Sequence, residues 1–170
     1  MSYYSVVAVG GLSAPALSLN TQVFGTYSLL QIFVNIPSQS IAGIPVIQFN
    51  GDAGTTSYAY NISSSTLIAN VVSLVGATGI AGVANGIFLG QTAVTGPVIS
   101  ELIIGNGPSQ AHAVMLNGSA GIMDASAPPS IINGSGVWAN TSQITSVQLS
   151  SSGGGNLGTG TGILVLGLNP

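Results

Sequence analysis

Apolar and polar residues alternate with period two in several short stretches of this chain, and Gly, Pro, Ser and Asn break the alternation at short intervals. Period two is the signature of a strand with one buried face. In residues 27–36, Leu30, Ile32, Val34 and Ile36 share one face, while Gln31, Phe33 and Asn35 share the other, and Pro37 stops the run. In residues 44–50, Ile47 and Phe49 oppose Val46 and Gln48. That run ends in Asn50-Gly51, a dipeptide that tolerates positive φ at both positions, so a hairpin is predicted with residues 57–62 pairing back across it. In residues 143–150, Thr145, Val147 and Leu149 point one way and Ile144, Ser146 and Gln148 the other. A Ser/Gly break at 151–155 follows, and the almost wholly apolar stretch 163–168 is predicted as a buried closing strand.

Weaker patterns supply the other elements. Residues 5–9 form a short apolar strand ended by Gly10-Gly11, and 12–24 read as a strand with an irregular approach. Further strands are predicted at 67–74, 86–90, 98–104 and 111–116, a long loop at 118–129, and a strand at 130–137 that reaches Trp138, the single Trp. This makes about ten strands, no window with helical periodicity and no repeat of fixed length. Abundant Gly, Ser, Thr, Asn and Val also disfavour helix. The expected fold is all-β, an antiparallel jelly-roll-like β-sandwich in one domain spanning 1–170, with 1–12 as an N-terminal arm. The expected core includes Leu30, Ile32, Val34, Ile47, Phe49, Val147, Leu149, Leu164 and Leu166.

Charge changes the picture more than apolar content does. Apolar residues make up 46% of the chain, which is ordinary, but it contains no Lys or Arg, and its acids are Asp52, Glu101 and Asp124, for a net charge of −3. Nucleic-acid binding depends on cationic side chains that displace counterions, so it is excluded. A phosphate-binding P-loop lacks its Lys, and attraction to an anionic membrane surface lacks its cations. The absence of Cys removes disulfides, thiol chemistry and Cys-based metal sites. The most apolar window, 67–84, has the length of a membrane span, but Asn70, Ser73, Thr78 and three Gly interrupt it and no basic flank orients it. It reads as a buried strand joined to a Gly-rich turn. Residues 1–4 lack the basic n-region of a signal peptide.

Three blocks together carry a resemblance. Residues 47–60, IQFNGDAGTTSYAY, are similar to the "xxxRFNxDxGxNYxY" segment of small tailed-phage virion proteins. Residues 138–168 are similar to their closing pattern of a Trp, an "ITSI" strand, a Gly/Asn-rich turn and "GSxxxLYGI"; residues 27–36 resemble their "YxxLxIxI" strand. The blocks cover about a third of the chain. The resemblance implies a β-sandwich module that trimerises and serves as a capsid decoration, head-fibre or tail-fibre protein. The family usually carries Arg or Lys on these strands where this chain has Gln48 and Val165, which removes charge-based docking. The resemblance brings no catalytic residues.

Candidate chemistry is sparse. His112, the single His, forms a triad on paper with Asp52, Asp124 or Glu101, but no G-x-S-x-G nucleophile turn occurs. Its plainer reading is a strand residue with an ordinary hydrogen-bond partner. One His and three scattered carboxylates are poor material for zinc, and Asp52 lacks the further charged oxygen ligands that calcium takes. After Asn50-Gly51, Asp52 reads as a turn side chain bonding nearby amides. A glycosidase pair would need two of the three acids brought together. Asn61, Asn117, Asn133 and Asn140 begin N-x-S/T triplets, as chance gives in a chain this rich in Asn, Ser and Thr.

These readings lead to the expectation of a non-enzymatic phage virion protein with no catalytic residue, metal or cofactor. Its expected role is capsid decoration, stabilising the head exterior as a homotrimer bound to the major capsid protein or another virion protein. It is not expected to bind nucleic acid or to enter a membrane. A tail-fibre or receptor-binding module, and an extracellular filament subunit that exchanges its N-terminal strand, are the alternatives.

Overall fold

The computed structural model describes residues 4–68, 71–77, 85–89, 96–120 and 130–168. They contain twelve strands and no helix: β1 (Tyr4–Gly11), β2 (Ser18–Asn20), β3 (Leu29–Ile36), β4 (Pro45–Phe49), β5 (Tyr58–Ile68), β6 (Val71–Ala77), β7 (Ile87–Phe88), β8 (Val98–Gly105), β9 (His112–Ala120), β10 (Ser130–Trp138), β11 (Val147–Ser151) and β12 (Gly162–Leu168). An eight-stranded sheet has the order β1-β12-β3-β8-β9-β10-β5-β6, and a four-stranded sheet has the order β2-β11-β4-β7. Every pairing is antiparallel. The fold is an antiparallel jelly-roll-like β-sandwich. Among the described residues no helix is long and apolar enough to cross a membrane.

Cross-strand register builds the core in rows. Val165, Ile32, Leu102 and Leu116 are successive neighbours across β12, β3, β8 and β9, and all are buried. The smaller sheet brings Leu19, Ile47, Phe49, Val147 and Leu149 against them. All five residues of β4 are buried, because both of its faces are covered. Behind it, a Cβ on Gly86 would meet the Val46 side chain and the Ile47 carbonyl, so only Gly lets that segment lie so close.

Seven of the nine expected core residues are fully buried; Leu164 and Leu166 are not. In β12 the inward positions are Ile163 and Val165, which pair with Val34 and Ile32. The run ILVLGL is apolar on both faces, so period two cannot choose between them. The choice comes from register with β3, whose own alternation is unambiguous. Nor does β12 close the sheet at an edge: it lies between β1 and β3.

The hairpin predicted at Asn50-Gly51 does not form. Both residues take positive φ, 53° and 69°, as expected. However, β4 pairs with β11 and β7, whereas β5 pairs with β10 and β6 in the other sheet. Both edges of β4 are occupied, so the turn becomes a corner that carries the chain across the sandwich. Asn50 secures the corner: its Nδ2 donates to the Gln143 carbonyl (2.8 Å), and its Oδ1 accepts from Thr145 N (2.8 Å) and Ser146 N (3.1 Å).

The other departures are local. The strand expected over 143–150 starts only at Val147. Ahead of it, Ile144 N donates to Asn106 Oδ1 (2.7 Å) and Ile144 O accepts from Asn106 Nδ2 (3.1 Å), so a buried side-chain amide replaces a strand partner. Ile144 is therefore buried together with Val147, against the predicted alternation. Within 12–24 only β2 is strand. The strand expected at 67–74 falls on the paired strands β5 and β6, with 69–70 outside the described residues. Of the loop expected over 118–129, residues 118–120 belong to β9 and 121–129 lie outside the described residues. The expected N-terminal arm is, over residues 4–11, strand β1, paired with β12 and carrying one register shift between Val6 and Ala8.

The β12 register makes a direct prediction. Ile163→Ala should lower unfolding stability by about 2–5 kcal/mol, as for other large-to-small changes in a packed core. Leu164→Ala, on the partly exposed face, should cost clearly less. Urea denaturation of the two variants measures the order, and the reverse order would place β12 the other way round.

Candidate functional site

Two groups of polar and aromatic side chains stand out. The first surrounds Trp138, the last residue of β10. Its ring is fully buried and sits edge-on to Phe49 of the small sheet, with centroids 5.7 Å apart, and stacks on His112 of β9 at 5.2 Å. The indole Nε1 donates to Asp52 Oδ2 (2.9 Å) in the corner after β4. Asp52 Oδ1 accepts from Gly54 N (2.9 Å) and Ser57 Oγ (3.1 Å). The turn role expected of Asp52 is thus seen, with the indole bond added. Tyr58 completes the group: its Oη donates to the Asp52 carbonyl (2.8 Å) and accepts from Phe49 N (3.0 Å). Burial pushes the Tyr58 phenol well above its ordinary range, so it stays protonated and able to donate.

His112 is fully buried, with Nδ1 3.0 Å from the Gly105 carbonyl and Nε2 2.8 Å from the Ser142 carbonyl. Main-chain acceptors engage both nitrogens, and Trp138 touches both the imidazole and Asp52. The chain thus brings His112 and Asp52 to one cluster without a direct contact between them.

Burial alone would raise the Asp52 carboxyl. The bonds from Gly54 N, Trp138 Nε1, Ser57 Oγ and the Asn140 side chain outweigh it and hold the group below its ordinary 3.8. A depressed native value stabilises the fold above the unfolded value, and that contribution is lost as pH falls through the native one.

The second group lies on the outer face of the eight-stranded sheet. Here Phe33, Glu101, Asn117, Asn133 and Ser63 form one cross-strand row over β3, β8, β9, β10 and β5. Gln31 Nε2 donates to Glu101 Oε1 (2.5 Å), fixing the carboxylate on this face. Apolar side chains flank the row, with Ile99 and Ile131 on one side and Ile103 and Met115 on the other. Ile99, Met115 and Ile131 are each nearly 60% exposed, at 59%, 58% and 59%. A shallow groove lined by Phe33, Ile99, Glu101, Asn117 and Ile131 adjoins a second one lined by Asn61, Ser63, Asn133 and Ser135.

Glu101 therefore lies apart from the Asp52 cluster, and Asp124 lies outside the described residues. Among the described residues no three His, Asp or Glu side chains gather as metal ligands would. Asn61, Asn117 and Asn133 fall on the outer face and Asn140 beside Asp52. Sequence reading missed the structural roles of Asn50 and Asn106 and the polar row itself. The row was visible only as Glu101 between Ile99 and Ile103 and Asn117 after Met115, a signal that stays local until register aligns the strands.

No protein-family profile and no curated protein matches the chain. Solved structures similar to it include a mutant of the alginate lyase Aly36B in complex with alginate tetrasaccharide, at 10% identity and a TM-score of 0.32, covering 92% of this chain and 78% of that one. Porphyranase B from Zobellia galactanivorans is 9% identical, with a TM-score of 0.32, covering 96% and 74% of the two chains. β-Agarase A from the same organism is 11% identical, with a TM-score of 0.29, covering 95% and 73%. These neighbours are enzymes, and none is a phage virion protein. The expectation that the chain is not an enzyme is corrected on that finding. Their substrates are properties of those proteins.

Acid sensitivity tests the Asp52 arrangement. Stability of the native chain should fall more steeply below about pH 3.8 than that of Asp52→Asn, which has no carboxylate to protonate there. Glu101 and Asp124 are common to both proteins and cancel in the comparison. Thermal unfolding across the acid range measures it, and parallel pH profiles would remove Asp52 as the cause.

Proposed function

We propose that this chain is a structural protein of a tailed-phage virion, a capsid decoration module that assembles as a homotrimer seated on the major capsid protein. The three sequence blocks that resemble small phage virion proteins support the virion assignment. The observation that carries self-assembly is the edge of the eight-stranded sheet at β1. Among the described residues no strand pairs with its outer side. Tyr4, Val6 and Val9 on this strand are 47%, 64% and 68% exposed. Open edges in monomeric proteins are guarded by charge, most often Lys, and this chain has none. A register shift between Val6 and Ala8 interrupts the pairing of β1 with β12.

A second copy is the occupant that this edge suits. It is equally free of cations, so nothing electrostatic keeps copies apart beyond a weak net negative charge. A ring of three closes the edges that one copy leaves open. Without Lys or Arg, contacts between copies are apolar packing and neutral hydrogen bonds, which salt screens little.

Native mass measurement at micromolar concentration should give three times the 16.7 kDa subunit mass, unchanged across roughly a tenfold range of salt. The double variant Val6→Lys, Val9→Lys, which adds charge to exposed positions, should be folded and monomeric. A monomeric native chain, or dissociation by salt alone, would overturn the trimer. On virus particles, a copy number that follows the tail instead of the capsid lattice would overturn the decoration role.

A further inference from the structure

We infer that the outer face of the eight-stranded sheet binds a linear, uncharged glycan along the row Phe33–Glu101–Asn117–Asn133–Ser63. This row runs perpendicular to the strands, because each member is the cross-strand neighbour of the next. Five strands at about 4.8 Å spacing give a track of roughly 19 Å, long enough for several sugar rings in a line.

The chemistry along the track matches such a ligand. Its centre is polar and neutral apart from one carboxylate. Asn117 and Asn133 each present a donor and an acceptor, and Glu101 presents acceptors, which together complement hydroxyl groups spaced along a chain. The Glu101 carboxylate is held in place by Gln31. Its flanks are apolar: Ile99 and Ile131 line one side and Met115 the other, all well exposed. A sugar ring has the same division, with hydroxyls at its edge and C–H groups on its faces. Phe33, 37% exposed, provides an aromatic surface at one end of the row.

Charge selects the class of glycan. The one ionisable group on the track is a carboxylate, and the chain has no Lys or Arg to neutralise a uronate or sulfate. An anionic polymer would meet repulsion without compensation. An extended peptide draws its affinity from main-chain pairing at a sheet edge. The track lies on a sheet face, where the backbone is already paired, and so offers a peptide no such bonds.

This inference is independent of the trimer, which uses the β1 edge, and its test uses the full chain in whatever oligomeric state it adopts. Calorimetric titration with hexasaccharides of cellulose, chitin, amylose and agarose should show saturable binding of at least one, and none of an alginate hexasaccharide. Asn117→Ala combined with Asn133→Ala should weaken that binding at least tenfold, and Phe33→Ala should weaken it as well. Asn117 and Asn133 are exposed, so the thermal transition of their double variant should stay where it is. Failure of all four neutral probes, equal binding of alginate, or unchanged binding in the Asn117/Asn133 variant would overturn the inference. So would a change of oligomeric mass in Ile131→Lys accompanied by no glycan binding, since the face would then be an interface between copies. Val6→Lys, Val9→Lys should leave glycan binding intact, so assembly and ligand binding fail separately.

Discussion

The two sheets are joined at one end through Trp138. Its ring contacts Phe49 from the small sheet and His112 from the large one, and its Nε1 is tied to the corner by Asp52. Large aromatic side chains bury more apolar surface than any other residue, and losing one from a core costs about 3–5 kcal/mol. The indole N–H must also be satisfied once buried, and Asp52 does this at the point where the chain crosses between sheets. The position of that corner, the entry of β5 and the stack with His112 all follow from where this ring is placed.

Without cations, the chain ties down main-chain groups at its corners and strand ends with neutral side chains. Three amides and a hydroxyl do work that Arg or Lys often does elsewhere. The Asn50 side chain binds four groups of the 143–146 segment, Asn106 holds Ile144 from both sides, and Thr21 Oγ1 accepts from Val147 N (3.0 Å). The Gln48 Nε2 donates to the Asn85 carbonyl in the segment that covers β4. Neutral amides carry both a donor and an acceptor and need no charged partner, so they are buried at lower cost than an ion. The same neutrality exposes apolar and amide surface side by side on the outside.

Much of the architecture was legible along the chain. The alternation in 27–36 placed Leu30, Ile32 and Val34 in the core because polar Gln31 and Asn35 mark the opposite face. Asn50-Gly51 was read correctly as a positive-φ turn and wrongly as a hairpin. Local chemistry specifies the dihedral angles of a turn, but the partner of a strand depends on which edges are already occupied. The outer-face row was illegible for a related reason: Glu101, Asn117 and Asn133 are far apart in sequence, and only register makes them neighbours.

The sequence by itself determined the class of fold, most strand positions, the uncharged character of the surface and the absence of cationic recognition, because each depends on local periodicity or on composition. Tertiary structure alone decided which face of β12 is buried, since ILVLGL offers two apolar faces and β3 selects one. It also decided that β4 and β5 belong to different sheets, that Asp52 bonds the edge of the indole on whose face His112 stacks, and that a polar row crosses the large sheet. Each of these depends on contacts between residues distant in the chain, whose pairing is set by the competition of all strands for partners and buried surface.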